Sequence, residues 1–142
     1  MWSLGCMAME LLTGIPIFAG ASEHGQLEKI INVIGLPPPE LVEKSSAEKL
    51  DRYFKYVRRG QYSFVSYKND SKKKLIDLIK EKIPICESDS SASDVFNFLD
   101  WIERMLSWNP EDRMTPSEAL SHPFLKPMIN AAANTDYTVN SN

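Results

Sequence analysis

The sequence is poor in the residues that build disulfide frameworks and metal centres, with two cysteines and two histidines in 142 residues. Cys6 and Cys86 are too few for a disulfide scaffold, and Cys6 lies in an apolar stretch where a reduced thiol packs like a small hydrophobic side chain. We therefore expect an intracellular protein, cytoplasmic or nuclear. Neither His24 nor His122 has a second histidine, cysteine or carboxylate at ligand spacing, which predicts no metal site.

Long apolar runs and strong net charge are also absent. No apolar stretch approaches the roughly 20 residues of a membrane-spanning helix, and Met1 is not followed by the basic and apolar regions of a secretion signal. Sixteen basic and 19 acidic residues leave a net charge of −3, which favours no nucleic-acid or membrane partner. The length and the hydrophobic content of 43% are typical of one ordinary globular domain.

The most apolar segment opens the chain. Between Trp2 and Leu12 the only charged side chain is Glu10, and apolar or small side chains occupy every face of a helix drawn through this stretch. A helix that is apolar nearly all round belongs in a protein core, and Gly14 followed by Pro16 predicts where it ends. Such a central buried helix needs neighbours on all sides, and we expect half of them to come from upstream sequence.

Hydrophobic periodicity and capping residues predict the remaining elements. We expect further helices over 22–34, 40–50, 72–83, 94–106 and 116–120, with a hairpin of two strands over 52–57 and 61–67. A polar linker is predicted over 87–93, and the chain from 127 to 142 reads as a disordered tail because it carries no sustained period. The predicted fold is mainly α, with one domain over 1–126 and a small irregular insert at about 37–93.

Two motifs resemble the C-terminal lobe of eukaryotic protein kinases. The first is Trp2-Ser3-Leu4-Gly5-Cys6 with Glu10-Leu11, Thr13-Gly14, Pro16 and Phe18-Ala19-Gly20, which resembles the central helix of that lobe in the cyclin-dependent, MAP and dual-specificity tyrosine-regulated (DYRK) branch. The second, which resembles the motif that closes the kinase domain, comprises Leu106, Asn109-Pro110, Arg113, Thr115, Ala119-Leu120 and His122-Pro123-Phe124. The insert most resembles that of DYRK kinases, so the expected architecture is a kinase-like C-lobe fragment.

The resemblance implies a protein kinase that transfers the γ-phosphate of Mg-ATP to Ser/Thr hydroxyls, or also to Tyr in a dual-specificity enzyme. Five devices of kinase chemistry are missing from this sequence: a Gly-rich loop, a strand lysine, H-R-D, D-F-G and A-P-E. In the family all five precede the central helix. We therefore expect no catalytic or cofactor-binding residue here, with ATP and Mg²⁺ used by the parent kinase and the 142-residue chain inactive alone.

The resemblance also assigns supporting roles. Met7 and Leu11 fall where the central helix anchors the hydrophobic column that reaches the adenine of ATP, although both are equally well plain core residues. Trp2 and Gly5 fall at structural positions. Arg113 corresponds to a buried arginine that pairs with a glutamate of the activation segment, which this sequence lacks; its alternative is a solvated arginine, and Glu111 or Asp112 can partly compensate its charge.

Docking roles are the remaining expectation. The second helix presents an amphipathic stripe that we predict to be a docking face for protein substrates, made of Leu27, Ile30, Ile31 and Ile34. The other expected partner is the upstream half of the kinase domain. A rival reading is a stand-alone, non-catalytic binding module derived from a kinase lobe. Lys72–Lys74 and Arg58-Arg59 form either a basic patch for an acidic partner or a solvated face, and the solvated face is the commoner case.

Overall fold

The computed structural model describes residues 1–65, 74–82 and 91–133. It confirms a mainly α fold with one small antiparallel sheet. A short 3-10 helix at Pro110–Asp112 lies within the last of these ranges. The elements in chain order are α1 (Trp2–Thr13), α2 (Glu23–Ile34), α3 (Pro39–Glu43), α4 (Ala47–Tyr53), β1 (Phe54–Arg58), β2 (Gln61–Phe64), α5 (Leu75–Lys80), α6 (Ser91–Met105), α7 (Pro116–Ser121) and α8 (Lys126–Ala133).

Helix α1 packs closely against α6. A Cβ placed on Gly5 would lie 3.2 Å from Leu106 Cδ2 and 3.2 Å from Met105 Cβ, so the absent side chain is what allows the two helices to approach. Met9, one turn further along α1, is fully buried in the same contact. The helix ends as predicted, with Gly14 at a φ of 75°, a left-handed conformation that glycine adopts at little cost.

Only one side of α1 is covered, which differs from the expectation of burial on every face. Gly5, Met9 and Thr13 are buried. Leu11, on the other side, is 87% exposed. Leu4 and Met7 accompany it at 40% and 53% exposure. Helix α1 therefore has one side in a hydrophobic core and another, apolar side that the described residues leave exposed.

Helix α6 supplies the largest share of that first core. Its predicted stripe is confirmed, because Ile102, Met105 and Leu106 are almost fully buried and pack with Met9 and Ile79. The helix begins at Ser91, earlier than the predicted start at residue 94. Asp94 thus lies inside the first turn, where a carboxylate interacts favourably with the helix dipole. Of the predicted linker 87–93, residues 87–90 lie outside the described part of the chain.

A second core lies under α2 and the hairpin. It comprises five buried residues, one from each of five elements: Ile31, Val42, Tyr53, Phe54 and Phe64. The predicted hairpin is confirmed, with β1 antiparallel to β2 and a Gly60 turn at a φ of 68°. Its first strand begins later than predicted because Arg52 and Tyr53 end α4, and residues 66 and 67 of the predicted second strand lie outside the described part of the chain. The segment predicted as one helix over 40–50 is two helices, α3 and α4. The break occurs because Ser46 adopts an extended backbone and caps α4 with its side chain.

The remaining differences concern α5 and the tail. The described part of the helix predicted over 72–83 is α5, which begins only after Lys74; residues 72, 73 and 83 lie outside the described ranges. Disorder was expected from residue 127, but α8 continues to Ala133. Three consecutive alanines, the strongest helix formers, account for this helix. Within the described residues, none of the helices is long and apolar enough to cross a bilayer.

The connection from α1 to α2 depends on a close backbone approach at Gly20. A Cβ placed on Gly20 would lie only 2.2 Å from the backbone nitrogen of Gln26. The Gly20 N–H donates to Gln26 Oε1 at 2.8 Å, which holds the approach. Ser22 caps α2 as predicted, its hydroxyl accepting from the Gly25 N–H at 3.1 Å.

We predict that Gly20→Ala destabilises the chain by about 1–3 kcal/mol, the usual range for forcing atoms into a filled space. Gly25→Ala makes the same chemical change five residues away. Its Cβ meets the exposed Ser22 hydroxyl at 3.3 Å and the Gly20 Cα at an ordinary 3.9 Å, so its cost is expected to be well below that of Gly20→Ala. Urea unfolding followed by circular dichroism measures both. Equal costs would mean that the backbone at Gly20 relaxes freely.

Candidate functional site

The residues of the two family-like motifs meet in one aromatic cluster at the start of α1. The ring of Trp2 stacks on Phe18 with centroids 5.7 Å apart and contacts Trp108 at 6.4 Å. Trp108 in turn donates from its indole N–H to the Gly35 carbonyl at 3.0 Å, across 73 positions of sequence. The cluster thus joins the start of α1, the end of α2 and the segment after α6.

The guanidinium of Arg113 packs against this cluster. Its guanidinium carbon lies 5.1 Å from the centroid of the Trp2 ring, within cation–π range. Nε donates to the Ser107 carbonyl at 2.8 Å and Nη2 to the Trp108 carbonyl at 3.2 Å. The side chain is half-buried. It is therefore neither a free surface cation nor an orphaned one.

The structure corrects the expected compensation of Arg113 by Glu111 or Asp112 and the solvated alternative, while its pairing with a glutamate of the activation segment stays a prediction. Neither Glu111 nor Asp112 reaches it, and no carboxylate among the described residues lies within ion-pair distance of Arg113. Asp112 instead accepts from the side-chain amide of Asn109 at 3.1 Å. Backbone carbonyls and an aromatic face satisfy the guanidinium, and such partners leave no mark in a sequence.

We predict that Arg113→Ala destabilises the isolated chain by about 1–2 kcal/mol, because it removes hydrogen bonds from a charged donor and a cation–π contact. Arg113→Lys should recover only part of the loss, since an ammonium cannot reproduce the planar fork. Lys126→Ala, an exposed basic position on α8, is the matched control. Chemical denaturation of the four proteins decides; an Arg113→Ala variant as stable as the control would rule out this anchoring role.

The positions assigned to the adenine column lie on the uncovered side of α1. Met7 is 53% exposed and Leu11 87% exposed. Leu11 borders an almost wholly apolar cavity of about 460 Å³, together with Phe98 and Trp101 of α6. Neither residue is a plain core residue within this chain. The role in an adenine column itself stays a prediction.

The proposed docking stripe of α2 divides into a buried and an accessible part. Ile31 is fully buried in the second core, so it packs the fold and is not part of a docking surface. Leu27 and Ile30 line a groove of about 380 Å³ between α2, α3 and α4. Ile34 lines a separate cavity of about 630 Å³ beside α5 and the end of α6. Three of the four predicted residues thus remain available for contact.

A histidine and an aspartate join the end of α7 to α6. His122 is 6% exposed, and its Nε2 lies 2.8 Å from Asp100 Oδ2. The Phe124 N–H donates to His122 Nδ1 at 3.2 Å, so Nδ1 is the acceptor and Nε2 carries the proton that bonds Asp100. The hydrogen bond from His122, supported by Arg104, lowers the pKa of the Asp100 carboxyl below its ordinary value.

The lowered pKa of Asp100 predicts how the stability of the chain depends on pH. A carboxyl whose pKa is lower in the folded state contributes stability above its unfolded pKa, and that contribution is lost as the pH falls through the folded value. Asp100→Asn keeps an acceptor for Nε2 but removes the charge. We therefore expect the native chain to lose more stability than Asp100→Asn between about pH 5 and pH 3.

Urea midpoints at a series of pH values measure the effect. Arg104→Gln serves as the control, because the Arg104–Asp100 pair is exposed on both sides and exposed pairs contribute little. It should retain most of the acid sensitivity. Parallel curves for the native chain and Asp100→Asn would show that Asp100 is not the linked group.

Among the described residues, no group of three His, Cys, Asp or Glu side chains is placed to hold a metal ion. The cavity beside Met7's helix, lined by Leu11 and Phe98, presents an almost entirely apolar wall with no set of phosphate donors. The use of ATP and Mg²⁺ by the complete kinase stays a prediction.

Comparisons with known proteins give matches over most of this chain. Residues 1–125 match the family described as the protein kinase domain. The chain belongs to the protein kinase family. It is 33% identical to dual specificity tyrosine-phosphorylation-regulated kinase 3 of Homo sapiens over 136 residues, which cover 90% of this chain and 23% of the relative. The corresponding protein of Rattus norvegicus is 33% identical over 95% of this chain, and the Caenorhabditis briggsae kinase mbk-2 is 34% identical over 89%.

These matches confirm the DYRK-like resemblance. They also show that the chain spans about a quarter or less of the length of the curated relatives it matches. In this kinase-family chain, the matched motifs are packing residues: Trp2 and Arg113 build the aromatic cluster, and His122 ties α7 to α6. Sequence reasoning singled out the first two but missed the His122–Asp100 bond, whose only signal is the H-P-F motif.

Proposed function

We propose that residues 1–126 form the C-terminal part of the large lobe of a protein kinase catalytic domain. The complete protein would transfer the γ-phosphate of Mg-ATP to Ser/Thr hydroxyls of protein substrates, with Tyr as an additional acceptor if it is dual-specific. ATP and Mg²⁺ would be held by the other part of the domain. The support is the family match over 1–125 together with the aromatic cluster that the motif residues build.

The observation that carries this proposal is the uncovered side of α1. A soluble protein does not usually leave a row of large apolar side chains in water on a core helix, yet Leu4, Met7 and Leu11 are all exposed. We propose that the upstream half of the kinase domain covers this face. Met7 and Leu11 would then support the hydrophobic column that reaches the adenine.

The accessible residues of α2 would bind protein substrates. Leu27 and Ile30 line the groove between α2, α3 and α4, whose mainly apolar wall also carries the polar side chains of Glu23, Gln26, Ser45 and Lys49. An amphipathic segment of a protein substrate fits a groove of this chemistry. Ile34 would extend the contact towards the end of α6.

We predict that kinase activity is restored by completing the domain. The part of the human relative's kinase domain that precedes the matched segment is fused to the full 142-residue chain, and phosphate transfer from labelled ATP to a generic basic protein is measured. The fusion should transfer phosphate in a Mg-dependent reaction, whereas the 142-residue chain alone should not.

Two controls sharpen this experiment. The relative's own intact domain is the positive control. A fusion carrying Gly5→Leu, which places a bulky side chain where a Cβ already meets Leu106 and Met105 at 3.2 Å, should lose activity with its α1–α6 contact. A folded fusion that binds no ATP and transfers no phosphate would contradict the proposal.

The second candidate, a non-catalytic binding module, is favoured by one observation. The groove that Leu27 and Ile30 line lies at the second core, away from the uncovered face of α1, so peptide binding there does not depend on covering that face. A sharp, reversible melt of a monomeric 142-residue chain, combined with an inactive fusion, would favour this module over the kinase.

A further inference from the structure

The hairpin extends beyond the second core. Phe54 and Phe64, at its base, are buried and pair across the two strands. Beyond them the strands leave the core, since Tyr56 is 63% exposed and Val57 59% exposed. Tyr56 packs only edge-on against Tyr62 of β2, with centroids 5.8 Å apart. An exposed hairpin tip of this kind is held by its base and presents the rest of its surface to solvent.

The charge of the hairpin is opposite to that of the chain. Residues 52–65 contain four basic side chains and no acidic one, whereas the whole chain has 19 acidic and 16 basic residues. Arg52 lies at the base, 5.5 Å from the Tyr53 ring. The other three, Lys55, Arg58 and Arg59, are exposed. Within the described residues no carboxylate lies within ion-pair distance of these three.

The contacts around the tip leave its cations available. Arg58 Nε donates to Gln61 Oε1 at 2.6 Å, which fixes the guanidinium beside the turn without neutralising it. The nearby carboxylate of Glu43 accepts instead from the Tyr62 hydroxyl, at 3.2 Å. The positive charge therefore faces solvent from an ordered turn.

A cavity of about 310 Å³ lies at the hairpin, and its wall includes Val57 and Gly60, the chain neighbours of Arg58 and Arg59. One wall is the segment between α2 and α3, with Leu36 and Pro37, and the other wall is the hairpin, with Val57 and Tyr62. Leu36 is 39% exposed, so the cavity is reached from solvent. We call this cavity and the cations Lys55, Arg58 and Arg59 the hairpin pocket.

We propose that the hairpin pocket binds a short acidic peptide segment of a partner protein. One apolar side chain of the peptide enters the cavity, and flanking carboxylates pair with Lys55, Arg58 and Arg59. Among the described residues each strand pairs only with the other, so an outer strand edge can also take main-chain hydrogen bonds from an extended peptide. A peptide is favoured over nucleic acid because the acidic excess elsewhere on the chain repels a long polyanion.

The test uses the full 142-residue chain and fluorescence anisotropy without ATP, so that its result is independent of kinase activity. The probe is a labelled seven-residue peptide with a central leucine flanked by three glutamates on each side. Two further peptides replace either the leucine or all six glutamates with serine. We expect the parent peptide to bind at least about tenfold more tightly than either, and its affinity to fall as salt is raised.

Two charge-reversed proteins locate the site. Arg58→Glu with Arg59→Glu should lose at least about tenfold in affinity, whereas Lys29→Glu with Lys126→Glu, which makes the same change in net charge at exposed positions outside the hairpin, should not. Val57→Ser should weaken binding of the leucine peptide but not of its serine counterpart. If charge reversal unfolds the chain by circular dichroism, Arg58→Gln with Arg59→Gln takes its place.

Three results would overturn the proposal. The first is no measurable binding of the acidic leucine peptide. The second is equal loss in both charge-reversed proteins, which indicates general attraction rather than a site. The third is tighter binding of a single-stranded oligonucleotide of equal charge, which would make the hairpin a polyanion surface.

Discussion

The contact of α1 with α6 at Gly5 is the constraint on which the rest of the first core depends. Helix axes approach closely only where a side chain is missing, and here the nearest atoms already lie 3.2 Å from the position of a Cβ. That approach brings Met9 into full burial against Ile102 and Met105. Wider spacing would open space around all three, and lost packing in a core is costly because interiors are close-packed.

The aromatic cluster connects the α1–α6 contact to the second core. Trp2 begins α1, and Trp108 follows α6, so the two rings meet where the helices are held together by Gly5. The indole hydrogen bond from Trp108 to Gly35 then fixes the end of α2. Since Ile31, one turn earlier, is the buried centre of the second core, a single chain of contacts orders both halves of the structure.

Local signals account for the parts of the fold that the sequence predicted well. The ends of α1, α2 and α7 are marked by Gly14, Ser22 and the Thr115–Glu118 capping box, in which Thr115 N–H donates to Glu118 Oε2 at 2.7 Å. Such devices act within four residues, so their spacing is visible in a single sequence. The tail helix α8 has no sustained apolar period, and it forms through the intrinsic helix preference of its three alanines.

The long-range contacts of the site are the part that could not be predicted from the sequence. The Trp108–Gly35 bond joins residues 73 positions apart, and the Asp100–His122 bond joins residues 22 apart. Neither spacing is periodic, and a backbone carbonyl partner such as that of Ser107 for Arg113 can follow any residue type. The resemblance to kinases identified the right residues here, but the contacts they make could only be seen once the chain was folded.

The two cores differ in how completely they close, and this difference bears on function. The second core is enclosed by α2, α3, α4 and the hairpin of the same chain, while the first leaves Leu4 and Leu11 of α1 uncovered. The kinase-family motifs of this chain cluster around the first core, and they act there as packing residues: a glycine that permits an approach, rings that stack and an arginine held by carbonyls. Similarity at such positions reports the architecture of a lobe. Phosphate transfer depends on groups of a different chemistry. If a further part of a kinase domain supplies those groups, it would pack on the uncovered face of α1. That face is therefore the part of the molecule that distinguishes an enzyme from a binding module.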